Sequence, residues 1–154
     1  MLEFILNMHK YDKWANQRVL DRILVDKPKE EKIVSLFTHI LKADDIWLKR
    51  INNEPINTDN FAQSLNVTEL QNFLNELNGL TDNYFSTLTE EKLSQVIEYS
   101  NLQGKKFGNK LSDILIHLFN HATYHRGQIA QLFRKEDLRA PITDYIVFKR
   151  EKSM

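Results

Sequence analysis

Four stretches of about twenty residues repeat apolar side chains at the helical period, and very little interrupts them. The first, about Leu2 to Leu24, carries Phe4, Ile5, Met8, Tyr11, Ala15, Val19 and Ile23 at that spacing. The second, about Glu30 to Ile51, sets Ile33, Leu36, Phe37, Ile40, Ala43, Trp47 and Ile51 on one broad face. The third uses Leu70, Phe73, Leu74, Leu77, Leu80, Tyr84, Phe85 and Leu88, with a capping box expected at Thr68 and Gln71. The fourth runs from about Lys110 to Phe133. The chain holds only four glycines and three prolines, and the clearest breakers, Pro28 and Asn52-Asn53-Glu54-Pro55, fall between these segments. Four amphipathic helices of this length bury their stripes best against one another. The expectation is therefore all-α, a four-helix bundle in one domain over residues 1–154. Its helix order stays open, because two connections are long. Residues Gln95 to Lys106 form a short hairpin or irregular excursion before the last long helix. The tail, Pro141 to Phe148, is a short extended or helical piece lying on the body.

Composition removes several functions. There are no cysteines, which excludes cysteine nucleophiles, Fe–S ligation and cysteine zinc sites and suits a reducing, cytoplasmic setting. Lys+Arg 21 equals Asp+Glu 21, and the charges are scattered. Nucleic acid and anionic membrane are therefore poor partners. No apolar run approaches the ~20 residues that span a bilayer. The opening MLEFILNMHKYDKW lacks the basic start and small-residue cleavage site of a signal peptide.

The chemistry lies in the histidines: His9, His39, His117, His121 and His125. Three sit at four-residue steps on the fourth helix. Each step turns about 40° and rises about 6 Å, so two successive rings reach one ion, while His117 and His125 lie about 12 Å apart along the axis. Leu111, Ile114, Leu115, Leu118, Ala122, Ile129, Leu132 and Phe133 define the apolar stripe. With His117 at zero, that stripe centres near 110°, His125 falls at about 80° and His121 at about 40°. The inner pair is His121 and His125, with His117 furthest outside. Buried imidazoles need partners on both nitrogens, and a metal supplies one to each ring. A lone histidine on an apolar face is more often a hydrogen-bonded core residue, so a third ligand is required from another helix. His39, at the edge of the second helix's stripe beside Leu36 and Ala43, is the candidate; His9 lies off the first helix's main stripe. Three imidazoles leave a fourth position open, the pattern of a catalytic rather than a closed structural metal.

Two carboxylates sit where solvated charges are not expected. Asp12 falls within the first helix's stripe and Asp44 among Ile33, Phe37 and Ile40 on the second. Either can accept the distal N–H of a metal-bound imidazole or line a pocket. Equally, either can form an interhelical ion pair with Arg18 or Arg126. Asn16, Asn120, Tyr124 and Gln128 add polar groups near the same faces. Trp14, off its helix's stripe, packs against the tail or a second subunit.

At these residues the chain resembles the DinB family of metal-binding four-helix bundles, related to bacterial thiol-dependent S-transferases. The matching motifs are Tyr11-Asp12-Lys13-Trp14-Ala15-Asn16, the run His39 to Leu48, the run Asn120 to Ile129, and Asp144-Tyr145-Ile146. The resemblance implies metal ligation by His39, His121 and His125, a bundle with an unusual helix order, and a homodimer. It further implies a divalent ion, zinc or nickel first and iron or cobalt next, since three imidazoles suit all four. A low-molecular-weight thiol such as bacillithiol, mycothiol or glutathione is the implied cosubstrate, transferred to an electrophilic small molecule. Asp12 and Tyr124 are the candidates to orient that thiol or move its proton. The alternatives are a hydrolase that activates water at the same position and a non-catalytic metal-binding stress-response protein. A ferritin-like di-iron site needs Glu-x-x-His pairs, and no Glu precedes His39, His117, His121 or His125 by three residues.

Overall fold

The computed structural model describes residues 1–57, 63–101 and 103–152. In chain order the elements are α1 (Leu2–Asp26), α2 (Glu31–Ile51), α3 (Val67–Ser86), α4 (Glu90–Ser94), β1 (Val96–Ser100), β2 (Lys106–Lys110), α5 (Leu111–Lys135) and α6 (Tyr145–Glu151). The four long helices are the four periodic stretches. Their order follows from which ends share a core. Ile5 of α1, Phe85 of α3 and Leu111, Leu115 and Phe119 of α5 form one apolar cluster, with Ile51 of α2 against it. Val19, Leu20 and Ile23 of α1 meet Ile33, Phe37 and Ile40 of α2, Leu70 and Leu74 of α3, and Ile129 and Phe133 of α5 in another. Thus α1 and α5 run one way and α2 and α3 the other. Two successive parallel helices of about 20 residues oblige the chain to return some 30 Å between them, which accounts for the long connection over residues 52–66.

Local chemistry sets the ends. Lys27 closes α1 in the left-handed region at φ 48°, its N–H donating to the Ile23 carbonyl. Glu136, just past α5, accepts the N–H groups of Lys29 and Glu30 at 2.9 and 2.7 Å and so ties α5's last turn to the start of α2. The capping box of α3 stands two residues earlier than expected. Asn66 Oδ1 accepts from Glu69 N–H at 3.0 Å, and Glu69 Oε2 accepts from Asn66 N–H at 2.7 Å. A carboxylate and a short amide make a stronger reciprocal pair than Thr68 with Gln71. The excursion after α3 is a hairpin, preceded by the short α4. Its antiparallel register pairs Val96 with Lys110 and Tyr99 with Phe107, and Gly104 turns it at φ 78°. The tail is helical: α6 lays Phe148 against Tyr11 and Trp14, and Trp14 Nε1 donates to Glu151 at 3.0 Å. No helix among the described residues is long and apolar enough to cross a membrane.

Between the two apolar clusters lies a polar waist. Arg126 of α5 is only 1% exposed. Its Nη1 donates to Asp12 Oδ1 at 2.6 Å and to Asn16 Oδ1 at 2.8 Å, and its Nη2 to Thr123 Oγ1 at 3.0 Å. Asn16 in turn donates to Asp12 Oδ2 at 3.1 Å. The Tyr11 ring lies 5.5 Å from the guanidinium, and the Tyr11 hydroxyl donates to the Thr143 carbonyl at 2.7 Å, binding the tail to the same layer. Burial works to discharge the guanidinium, and the adjoining Asp12 carboxylate more than offsets this, so Arg126 is held above its ordinary pKa. Removing one partner strands the other. Asp12→Ala is expected to cost about 3–5 kcal/mol, whereas Asp12→Leu combined with Arg126→Met recovers much of that loss. Urea unfolding of the three proteins checks the ordering.

Candidate metal centre

Three imidazoles from two antiparallel helices converge beside this waist. His39 stands on α2; His121 and His125 stand one turn apart on α5. One ring nitrogen from each lies within 4.8 Å of the others, and the Nε2 atoms of His39 and His121 are 3.0 Å apart. Zinc with nitrogen bonds of about 2.0–2.1 Å in a tetrahedron separates its ligands by about 3.3 Å, so the arrangement fits a small divalent ion with little adjustment. Asp12, paired with Arg126, locks α5 to α1, and α5's rotation then carries both flanking rings to α2.

The rings are prepared as ligands. His125 Nδ1 lies 2.8 Å from Gln128 Oε1. A carbonyl oxygen can only accept, so Nδ1 carries the proton and Nε2 keeps its lone pair. His121 Nδ1 is buried without a hydrogen-bond partner, which confines that ring's bonding to Nε2. Burial first, then the neighbouring His125, His39 and His117, push the His121 pKa down to about 4. Burial, then His125, also lowers that of His39. Both rings are therefore neutral near pH 7, as ligation demands. Three imidazole ligands carrying no formal charge would leave a divalent ion's charge undiminished at its remaining position.

A model of the DinB family matches residues 26–153. The chain belongs to the DinB family. Protein DinB of Bacillus subtilis (strain 168) is similar to it, 25% identical over 94% of this chain and 93% of that protein. A solved structure of a DinB-like protein from Bacillus cereus ATCC 10987 is similar with a TM-score of 0.68, at 19% identity over 91% of this chain and 95% of that one. At that identity the likeness concerns the fold.

Other residues singled out in this DinB chain are placed as follows. His117 is exposed and outside the cluster, its ring 5.8 Å from that of His121. Tyr124 is 65% exposed, its ring 5.1 Å from that of His125. Asp12 spends both carboxylate oxygens on Arg126 and Asn16. Asp44 lines a small, partly open cavity of about 40 Å³ together with His9, Asp12 and Asn16. Burial, then the nearby Asp12 charge, raises the Asp44 carboxyl well above the usual carboxylate range. His9, expected off the main stripe, is buried: it stacks on Phe85 with ring centres 3.9 Å apart, and its Nε2 lies 2.9 Å from Asp82. Its partners come from α3, which a wheel drawn for α1 alone does not include. Arg126 and Gln128 are the residues whose roles the sequence leaves least visible.

Two outcomes follow. In metal-free protein the folded His121 takes its proton near pH 4, the unfolded chain near 6.5. The unfolded state binds more protons between these values, so the stability that neutral His121 contributes is complete above about pH 6.5 and is lost as pH falls towards 4. Thermal melts across that window should show the decline, and His121→Asn should flatten it. Gln128→Leu removes the acceptor on His125 and should weaken divalent-ion affinity about 10- to 100-fold, measured by competition with a chromophoric chelator, without altering the melting of the metal-free form.

Proposed function

We propose that this protein is a divalent-metal-dependent transferase that activates a low-molecular-weight thiol for attack on an electrophilic small molecule. The observation that carries this reading is the convergence of three imidazoles, His39, His121 and His125, from two helices beside the polar waist. A divalent ion held there would lower the pKa of a thiol at its open position and favour the thiolate. The chain's own groups supply the rest. His125, fixed by Gln128, and His121, with no competing partner on Nδ1, hold their lone pairs on one point. Tyr124, exposed and with its ring 5.1 Å from that of His125, would orient the thiol or relay its proton. Asp12 acts at one remove, by holding Arg126 and with it the pitch of α5. With no cysteine in the chain, the thiol comes from outside. Zinc and nickel are the first candidates for the ion, with iron and cobalt next.

The test is metal content followed by a thiol panel. Protein loaded with zinc or nickel should retain about one ion per chain by elemental analysis. His39→Ala, His121→Ala and His125→Ala should each lose it, while His117→Ala keeps it. Loaded protein should then consume a generic electrophile only when bacillithiol, mycothiol or glutathione is supplied. Turnover without any thiol would move the assignment to a hydrolase. Metal retention with neither activity would leave a binding protein.

A further inference from the structure

On the helix that carries His39, one arginine has no counter-ion among the described residues. Arg50, in the last turn of α2, lies with its guanidinium carbon 4.7 Å from the centre of the Trp47 ring and 5.5 Å from that of Tyr99 on β1. Its Nε is buried and makes no hydrogen bond. Among the described residues no carboxylate pairs with it. Three arginines of α1 and α5 are paired. Arg126 holds Asp12, Arg18 holds Glu151, and Arg22 holds Asp26.

The rings around Arg50 form a continuous strip leading to the imidazoles. Trp47 meets Tyr99 edge-on at 4.8 Å and His117 at 5.8 Å, and His117 lies 5.8 Å from His121. At the far end Tyr99 stacks on Phe107 at 5.8 Å, with the Lys105 ammonium 5.2 Å from that ring. Tyr99 is itself held, its hydroxyl donating to Asn109 Oδ1 at 2.8 Å. A guanidinium resting on rings keeps its planar fork in a set orientation, so little freedom is lost when two oxygens of an anion bind it. Such a fork matches a carboxylate or a phosphate, where an ammonium acts only as a point charge.

We propose that Arg50, Trp47 and Tyr99 form an oxyanion subsite that grips the carboxylate or phosphate end of a substrate whose reacting end lies at the three imidazoles. The direction of the substrate rests on the transferase reading above; the subsite itself does not. Its position sets a length. His39 and Arg50 are eleven residues apart on one helix, an axial rise of about 16 Å. A substrate that serves both ends carries its oxyanion roughly 16 Å from the reacting atom, measured along α2. Cysteine and mercaptoethanol are too short to feel Arg50.

The protein has two tryptophans, so Trp14→Phe leaves Trp47 as the only reporter. Metal-loaded Trp14→Phe protein is titrated by fluorescence with inorganic phosphate, succinate and the uncharged succinamide. Phosphate or succinate should give a saturable change that succinamide does not. Adding Arg50→Gln should weaken it at least tenfold, with metal content unchanged, and Arg50→Lys should lose less than Arg50→Gln. An equal response to succinamide, an undiminished response in Arg50→Gln, or equal loss in both variants overturns the subsite. The same titration on His39→Ala protein separates the two readings. Anion binding that survives there while thiol transfer is absent from metal-loaded protein leaves the subsite standing and removes the transferase. Loss of anion binding with transfer intact does the reverse.

Discussion

A guanidinium that is almost completely shut off from water has to be paired, and the pairing of Arg126 governs how this bundle is assembled. Its fork takes Asp12 and Asn16 from α1 and Thr123 from its own helix. Bonds at that distance tolerate little sliding, so they fix both the level and the rotation of α5 against α1. Apolar contacts alone constrain these less, since leucine stripes repack at modest cost when shifted. The pair thus supplies specificity more than stability, as buried ion pairs often do. Its neighbours in sequence are the consequence. With Arg126 turned to α1, His125 and His121 turn to α2, where His39 meets them.

The polar waist also explains where the apolar core divides. One cluster lies towards the start of α1 and the hairpin, the other towards the start of α2. Between them α1 carries His9, Asp12 and Asn16, and α2 carries His39 and Asp44. Concentrating unlike groups in one layer has an electrostatic result. Asp44 sits close enough to Asp12 for that charge, added to burial, to hold its carboxyl well above the ordinary range, while Arg126 opposes the shift. One buried cation, Arg126, is thus bonded to Asp12, while the Asp44 carboxyl nearby is held above the ordinary carboxylate range. Burial and the neighbouring imidazoles lower the pKa of His121, and burial and His125 that of His39, beside this layer.

Much of this was legible in the sequence, for stated reasons. Periodicity located the four long helices because each has a single buried stripe. The wheel singled out His121 and His125 because four-residue steps and a well-defined stripe give angles that no packing detail alters. The helix order was not legible: nothing in residues 52–66 says whether α3 returns parallel or antiparallel to α2, and the end-to-end clusters decide it. His9 was misjudged because its companions, Phe85 and Asp82, belong to another helix. Asp12 was recognised as out of place among apolar neighbours, with Arg126 among its possible partners. What made that pair a structural axis is the burial of the arginine, which depends on α1 and α5 together.

The hairpin raises a physical question that the arrangement of α2 answers. A two-stranded ribbon is marginal on its own in water, and here β2 is exposed along its whole length. It must therefore borrow stability from the helices. The Leu111 N–H donates to the Gln95 carbonyl at 2.9 Å, so the base of the hairpin is closed as α5 begins. Above the base, Tyr99 packs on Trp47 and lies against the Arg50 guanidinium, which joins β1 to the last turns of α2. Trp47 stands two turns beyond His39, and its other neighbour, His117, stands one turn before His121. The same ring thus braces the hairpin and flanks the metal centre. The hairpin therefore adjoins the imidazole cluster in two ways, through the Trp47 and His117 rings and through β2, which runs directly into α5.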